Sequence, residues 1–91
     1  MKFEWDTGKN AANKAKHGIS FELAVRVFAD PNRLDRYDSD HAEDEDRWFT
    51  IGIVPPAILA VIYAERQGGD VYRIISARKA NEHEQKEYYN V

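Results

Sequence analysis

The sequence contains no cysteine, which excludes a disulfide framework and a thiolate zinc site alike. No apolar run approaches the roughly 20 residues that a membrane-spanning helix needs. The first residues, Met1 to Asp6, lack the apolar h-region of a signal peptide, so the cytoplasm is the expected location. A positive charge balance is missing as well. Lys and Arg number 13 against 16 Asp and Glu in 91 residues, for a net charge of −3. That excludes a broad electrostatic surface for nucleic acid, so any phosphate site must be local, with the acidic residues segregated elsewhere. Internal repeats, low-complexity segments and linkers are absent too. What remains, 43% hydrophobic and 32% charged residues, has the composition of one globular domain over 1–91 rather than of a disordered chain.

The most informative stretch is Val71-Tyr72-Arg73-Ile74-Ile75-Ser76-Ala77-Arg78-Lys79. Its β-branched and aromatic residues suit a pleated, half-buried surface. Yet Arg73 lies inside the run, and Arg78 and Lys79 close it. The strand before it, Ala57 to Arg66, ends in Arg66 at the turn Gln67-Gly68-Gly69-Asp70. Arginines thus gather on the most hydrophobic hairpin of the chain. Two readings are open. One has aliphatic stems snorkelling to surface carboxylates; the other has forks aimed at an anion, phosphate above all. With Gln67 to Asp70 as the loop, Arg66 lies opposite Val71, and Arg73 is its diagonal neighbour on the same face, roughly 7–8 Å away. In a regular strand Arg78 has the opposite parity and points to the other face.

Taken in order, Lys2 to Trp5 alternates as a short strand. Asp6 caps a polar helix, Lys9 to His17, which Gly18 stops. Ser20 caps a second helix whose Phe21, Ala24, Val25 and Phe28 form one apolar stripe, ended by Asp30-Pro31. This pair is a poor DNA-reading helix-turn-helix, because its second helix is hydrophobic or acidic where a reader needs base-contacting groups. Leu34 to Tyr37 and Arg47 to Val54 read as strands. Between them, six carboxylates from Asp38 to Asp46 lack the glycine that a calcium loop needs at its sharp turn. They read as a solvated surface with no metal. Asn81 and Glu84 satisfy the capping-box spacing and open a C-terminal helix towards Tyr88 and Tyr89. Together with Trp48, these tyrosines supply aromatic area for either the core or a protein interface. The predicted architecture is α+β: two N-terminal helices packed on a mostly antiparallel, four- to five-stranded sheet, then a C-terminal helix.

Several of these blocks occur together: Phe3-Glu4-Trp5-Asp6 with Lys9; Asn13 with Lys16-His17-Gly18-Ile19-Ser20-Phe21; Ala24 with Val27-Phe28-Ala29-Asp30-Pro31; Asp40-His41 with Glu45 and Arg47-Trp48; Ile51-Gly52; Tyr63 with Glu65-Arg66; and Arg73-Ile74-Ile75-Ser76-Ala77-Arg78-Lys79-Ala80 with Glu84. The set resembles the BrnT family of toxins from bacterial type II toxin–antitoxin systems over nearly the whole chain. The resemblance implies a RelE-like fold and an endoribonuclease activity that halts translation. It also implies a ribbon-helix-helix antitoxin, BrnA-like, through which alone the complex would contact operator DNA. The sequence departs from the family pattern at Pro55-Pro56, where a glycine-rich turn is usual. It departs again in a C-terminal helix that is acidic, Asn81-Glu82-His83-Glu84-Gln85-Lys86, rather than arginine-rich, which argues against RNA contacts from that helix.

A metal-free ribonuclease needs a base for the attacking 2′-hydroxyl, an acid for the 5′-oxygen, and fixed cations for the phosphoryl charge. Arg66, Arg73 and Arg78 are the candidate cations. Histidine suits proton transfer near neutrality. His41, among carboxylates that favour its protonated form, is the candidate acid. His17, Lys9 and Lys79 are candidate RNA- or phosphate-binding residues, although capping the first helix would also explain His17. His83 reads as surface, and Glu65 and Glu43 are fallback bases. No cofactor is expected. Two rivals remain: a non-catalytic RNA- or protein-binding module of the same fold, and a metal-dependent nuclease using the acidic loop.

Overall fold

The computed structural model describes residues 1–39 and 45–90. The elements are β1 (Lys2–Glu4), α1 (Thr7–His17), α2 (Phe21–Ala24) running on as a 3₁₀ helix (Val25–Ala29), β2 (Leu34–Tyr37), β3 (Arg47–Val54), β4 (Ala57–Arg66), β5 (Val71–Lys79) and α3 (Glu82–Tyr89). The α+β class is as the sequence indicates, but the predicted pair of N-terminal helices is not found in that form. Only α1 is a full helix. The second segment is one α turn that tightens into 3₁₀ geometry. That 3₁₀ segment packs closely on the sheet: a Cβ on Gly52 of β3 would come within 2.6 Å of Val27 Cγ2.

Local signals hold where their chemistry is self-contained. The Asp6 carboxylate accepts from the Lys9 N–H at 2.9 Å, and Gly18 takes the left-handed conformation at φ 75° that ends α1. Ser20 Oγ accepts from the Leu23 N–H. Asn81 and Glu84 form the reciprocal capping box at the start of α3.

The five strands lie in the order β1-β5-β4-β3-β2. β1 pairs with β5 in parallel, and every other neighbouring pair is antiparallel. β1 reaches only as far as Arg73, which leaves the outer edge of β5 beyond it without a strand partner. The buried Asn13 of α1 takes that place. Its amide donates to the Ala77 carbonyl at 2.8 Å and accepts from the Ala77 N–H at 3.2 Å, as a strand would.

One face of the sheet carries Leu59, Val61, Tyr63, Ile74 and Ala77 against Ile19, Phe21, Ala24 and Val27 of the helical layer. Across the other face, α3 covers one end, where Tyr88 and Phe49 pack around Ile51, Ile58 and Ala80. The aromatic residues divide accordingly. Trp48 and Tyr88 are partly buried against the core, whereas Tyr89 is 58% exposed.

Asp30 ties the layers together. Its carboxylate accepts from the N–H groups of Ile53 and Asn32 at 2.8 Å and from the Tyr88 hydroxyl at 2.5 Å. Burial pushes the Asp30 carboxyl up, but these three donors outweigh it and hold the group below its ordinary value. Burial and the same bond push the Tyr88 hydroxyl up to about 12.

Candidate functional site

The strand register decides which arginines meet. Arg66 pairs with Val71 and Ala64 with Arg73, so Arg66 and Arg73 are diagonal neighbours on one face, as the loop length implies. Arg78 is the correction. The register shifts between Ile62 and Tyr63, where Tyr63 pairs with Ile74 but Ile62 with Ser76. Ile75 is therefore an extra residue, a β-bulge that reverses the parity of all that follows. In an unbulged strand Arg78 would oppose the core residue Leu59. Instead it opposes Ala60 and shares the face of Arg66 and Arg73.

The pairings of β2 and β3 extend this face. Arg47 pairs with Ala64, which pairs with Arg73 and through it with Glu4 of β1. Arg36, Phe49, Ile62 and Ser76 form the next row, and Leu34, Ile51, Ala60 and Arg78 the one after. Arg47 and Arg73 thus flank the fully buried Ala64 from two sides, about 10 Å apart at the backbone. Arg66 closes the group one row further along. Sequence reading assigned Arg47 no role. Its position depends on pairing through β4, and the only local signal was a cation at the start of an apolar strand.

The arginines are not equally available. Arg66 Nε lies 3.4 Å from Glu4 Oε1, with side chains 44% and 43% exposed, a surface pair worth little and easily exchanged for another anion. Arg47 Nε stands 3.8 Å from Glu45 and, among the described residues, has no hydrogen-bond acceptor although the atom is buried. Arg73 makes no ion pair within 4 Å among the described residues. Its charge is felt at Asp6, whose carboxyl lies below its ordinary value chiefly through the Lys9 N–H, with smaller pulls from Lys9 and Arg73. Arg78 differs from these three. Its two terminal nitrogens hold both oxygens of Glu84, at 2.7 and 2.9 Å, and Glu84 is only 8% exposed. The pair raises the Arg78 pKa, and Arg78 is the first cause of the depressed Glu84 carboxyl. Arg78 therefore clamps α3 to the sheet. Along the strand it lies four β4 residues from the Arg73 row, about 14 Å, too far to share one phosphate with it.

The remaining candidates divide. Lys9, in the first turn of α1, stands at the β1 edge of the Arg73 row, where both charges reach Asp6. His17 is at the opposite end of the same helix, about 12 Å on. Lys79 pairs with Leu59, a position of the helix-covered face at the far end of β5. Neither joins the arginines. Glu65, the fallback base, pairs with Tyr72 on that other face too, away from the arginines. His41 and Glu43 lie outside the described residues, in the segment that leads into Arg47. Among the described residues, no three His, Asp or Glu side chains cluster as a metal site, and no helix is long and apolar enough to cross a membrane.

The arrangement offers two or three planar cations around a small side chain on an open sheet face, a geometry suited to holding one phosphodiester and the charge that develops on it. Residues 5–84 match the model of a family described as the ribonuclease toxin, BrnT, of type II toxin–antitoxin systems. Among individually curated proteins no match is found.

Proposed function

Because the chain belongs to the BrnT family of ribonuclease toxins of type II toxin–antitoxin systems, we propose that it is an endoribonuclease whose site is the arginine-bearing face of the sheet. That membership implies an antitoxin partner; we take it to be a ribbon-helix-helix protein that also supplies the contact with operator DNA. The reaction is metal-independent: the substrate's own 2′-hydroxyl attacks the phosphorus, the 5′-oxygen leaves, and a cyclic phosphate remains. Arg66 and Arg73, joined by Arg47, hold the phosphoryl oxygens and neutralise the charge of the pentacoordinate state. Lys9 adds a point charge at the β1 edge. Arg78 serves the site at one remove, by fixing α3. His41 fits the leaving-group acid by residue type and by its carboxylate neighbours. The fold is RelE-like in this reading, and loss of intact messenger is how translation stops.

The observation that carries this reading is the register of β3 and β5 on β4. It brings Arg47, Arg66 and Arg73, spread over 27 positions of sequence, onto one face. The test measures melting temperature and RNA cleavage on the same purified variants. Arg66→Ala and Arg73→Ala are expected to melt like the parent and to lose activity about a hundred- to a thousandfold, as removal of one oxyanion donor does. Arg73→Lys is expected to recover only part of it, since an ammonium lacks the bidentate fork. Cleavage should survive a chelator and leave a cyclic-phosphate end. Full activity in both alanine variants would overturn the assignment of the site. Binding of RNA without cleavage by the parent would make the protein a non-catalytic module of the same fold.

A further inference from the structure

Next to the arginine rows, α3 and the β2–β3 pair enclose a groove of about 420 Å³. Its walls include Arg36, Asp38 and Phe49 from the sheet side and His83, Glu84 and Glu87 from α3. Phe49 follows Arg47 by two residues on the same face of β3, about 7 Å along the strand. A nucleotide bridges that distance between its phosphate and its base. The groove's own charges are wrong for a second phosphate, since its one arginine, Arg36, is already paired with Glu87, and Glu84 is held by Arg78. They suit a neutral group rich in N–H donors. The half-buried Phe49 ring supplies a flat apolar wall, and the Arg36 guanidinium already lies over it, 5.9 Å from the centroid. Glu87 faces the same space. One of its oxygens accepts from Arg36, and the other lies 3.2 Å from His83 Nε2. His83 is 83% exposed, so this contact exchanges readily, and each carboxylate oxygen keeps a second acceptor site.

We propose that this groove binds the nucleobase next to the phosphate held by Arg47, Arg66 and Arg73, stacked on Phe49, and that Glu87 makes guanine the preferred base. Guanine presents two adjacent donors, N1–H and the exocyclic amine, to a single carboxylate. Adenine and uracil offer no such pair. The inference rests on the ribonuclease reading above and adds to it a specificity subsite, built in part from the acidic C-terminal helix α3.

The test uses 2′-O-methyl RNA hexamers, which cannot be cleaved, with guanine or inosine at one position in turn; inosine lacks only the exocyclic amine. At one position the parent protein is expected to bind the guanine probe about tenfold more tightly than the inosine probe, the effect of one hydrogen bond to a charged group. Glu87→Gln is expected to abolish most of that difference, because an amide cannot accept at both atoms. Phe49→Leu keeps apolar bulk without the ring and is expected to weaken both probes about tenfold through lost stacking. Melting temperatures of both variants identify any that fail to fold, and His83→Ala, at an exposed position, tests the exchange of partners on Glu87 independently by strengthening the guanine probe. Equal binding of guanine and inosine at every position would overturn the subsite while leaving the phosphate site standing. An undiminished preference in Glu87→Gln would do the same. If Glu87→Gln spares RNA binding but weakens the antitoxin, the groove belongs to the protein partner and the proposal falls. Failure of every probe to bind the parent would overturn the ribonuclease reading along with it.

Discussion

The two faces of the sheet are built from the same strands yet obey different rules. On the helix-covered face, Leu59, Val61, Tyr63, Ile74 and Ala77 are buried against Phe21, Ala24 and Val27, and shape decides what is allowed. On the opposite face, Arg47, Arg66 and Arg73 surround Ala64, and charge decides. Arg78 belongs to neither regime, because its guanidinium is committed to Glu84. Sharing a face is therefore not enough to leave an arginine available for a ligand. The availability of its fork is what separates Arg73 from Arg78.

Substitutions can break this contrast, and the largest effect is expected on the covered face. Tyr63→Ala, deep in the core, should destabilise by about 3–5 kcal/mol, as loss of a large aromatic does. The melting temperature should fall by more than about 12 °C, since each kcal/mol moves a domain of this size by at least 4 °C. Any protein that stays folded should cleave RNA normally. A variant with normal stability and lost cleavage would place the site on the wrong face.

On the open face the pattern should invert. Arg47→Ala is expected to lower cleavage by about a hundredfold with a much smaller change in melting temperature than Tyr63→Ala, because the half-buried side chain gives up only a loose ion pair with Glu45. Normal cleavage in this variant would remove Arg47 from the site and leave the phosphate to Arg66 and Arg73.

Arg78 sharpens the comparison because it should fail on the other measurement. Arg78→Ala leaves the nearly buried Glu84 carboxylate without its partner and should cost about 1–3 kcal/mol, read in a chemical melt. Glu84→Gln should recover part of that loss in the double variant by removing the stranded charge. An Arg78→Ala protein of parental stability but no activity would instead make Arg78 a direct phosphate ligand.

The smallest expected effect concerns pH. The folded-state pKa values of Asp30 and Glu84 are depressed, so their contribution is fully present above the unfolded carboxylate values, near 4, and is lost as pH falls through the lower folded values. Stability should decline below about pH 4, and Asp30→Asn should flatten that decline while lowering stability at neutral pH. An unchanged acid slope in Asp30→Asn would show that its three donors do not act as a unit.

Much of the fold was legible because its signals are local. Asp6, Gly18, Ser20, Asn81 and Glu84 each act within four residues, and the structure shows each in the role its spacing predicts. The pairing of Arg66 with Val71 was legible for the same reason, since a short loop fixes the first pairs of a hairpin. The face of Arg78 was not. A bulge adds one residue, and nothing in Ile74-Ile75-Ser76 marks which residue it will be. Asn13 was visible only as part of a motif. Its work as a substitute strand for Ala77 joins positions 64 residues apart.

By itself, the sequence determined the α+β class, the caps and stops, the antiparallel hairpin and the family to which the chain belongs. The first three depend on periodicity and on short-range hydrogen-bond chemistry, which are written into neighbouring residues; the family rests on the match of residues 5–84 to its model. Only the tertiary structure decided that Arg47 shares a face with Arg66 and Arg73, that Glu84 ties up the Arg78 guanidinium, and that α3 and Phe49 line a groove beside those arginines. Those outcomes depend on strand register and on competition among charges for partners, and both are set between segments that the chain brings together only when it folds.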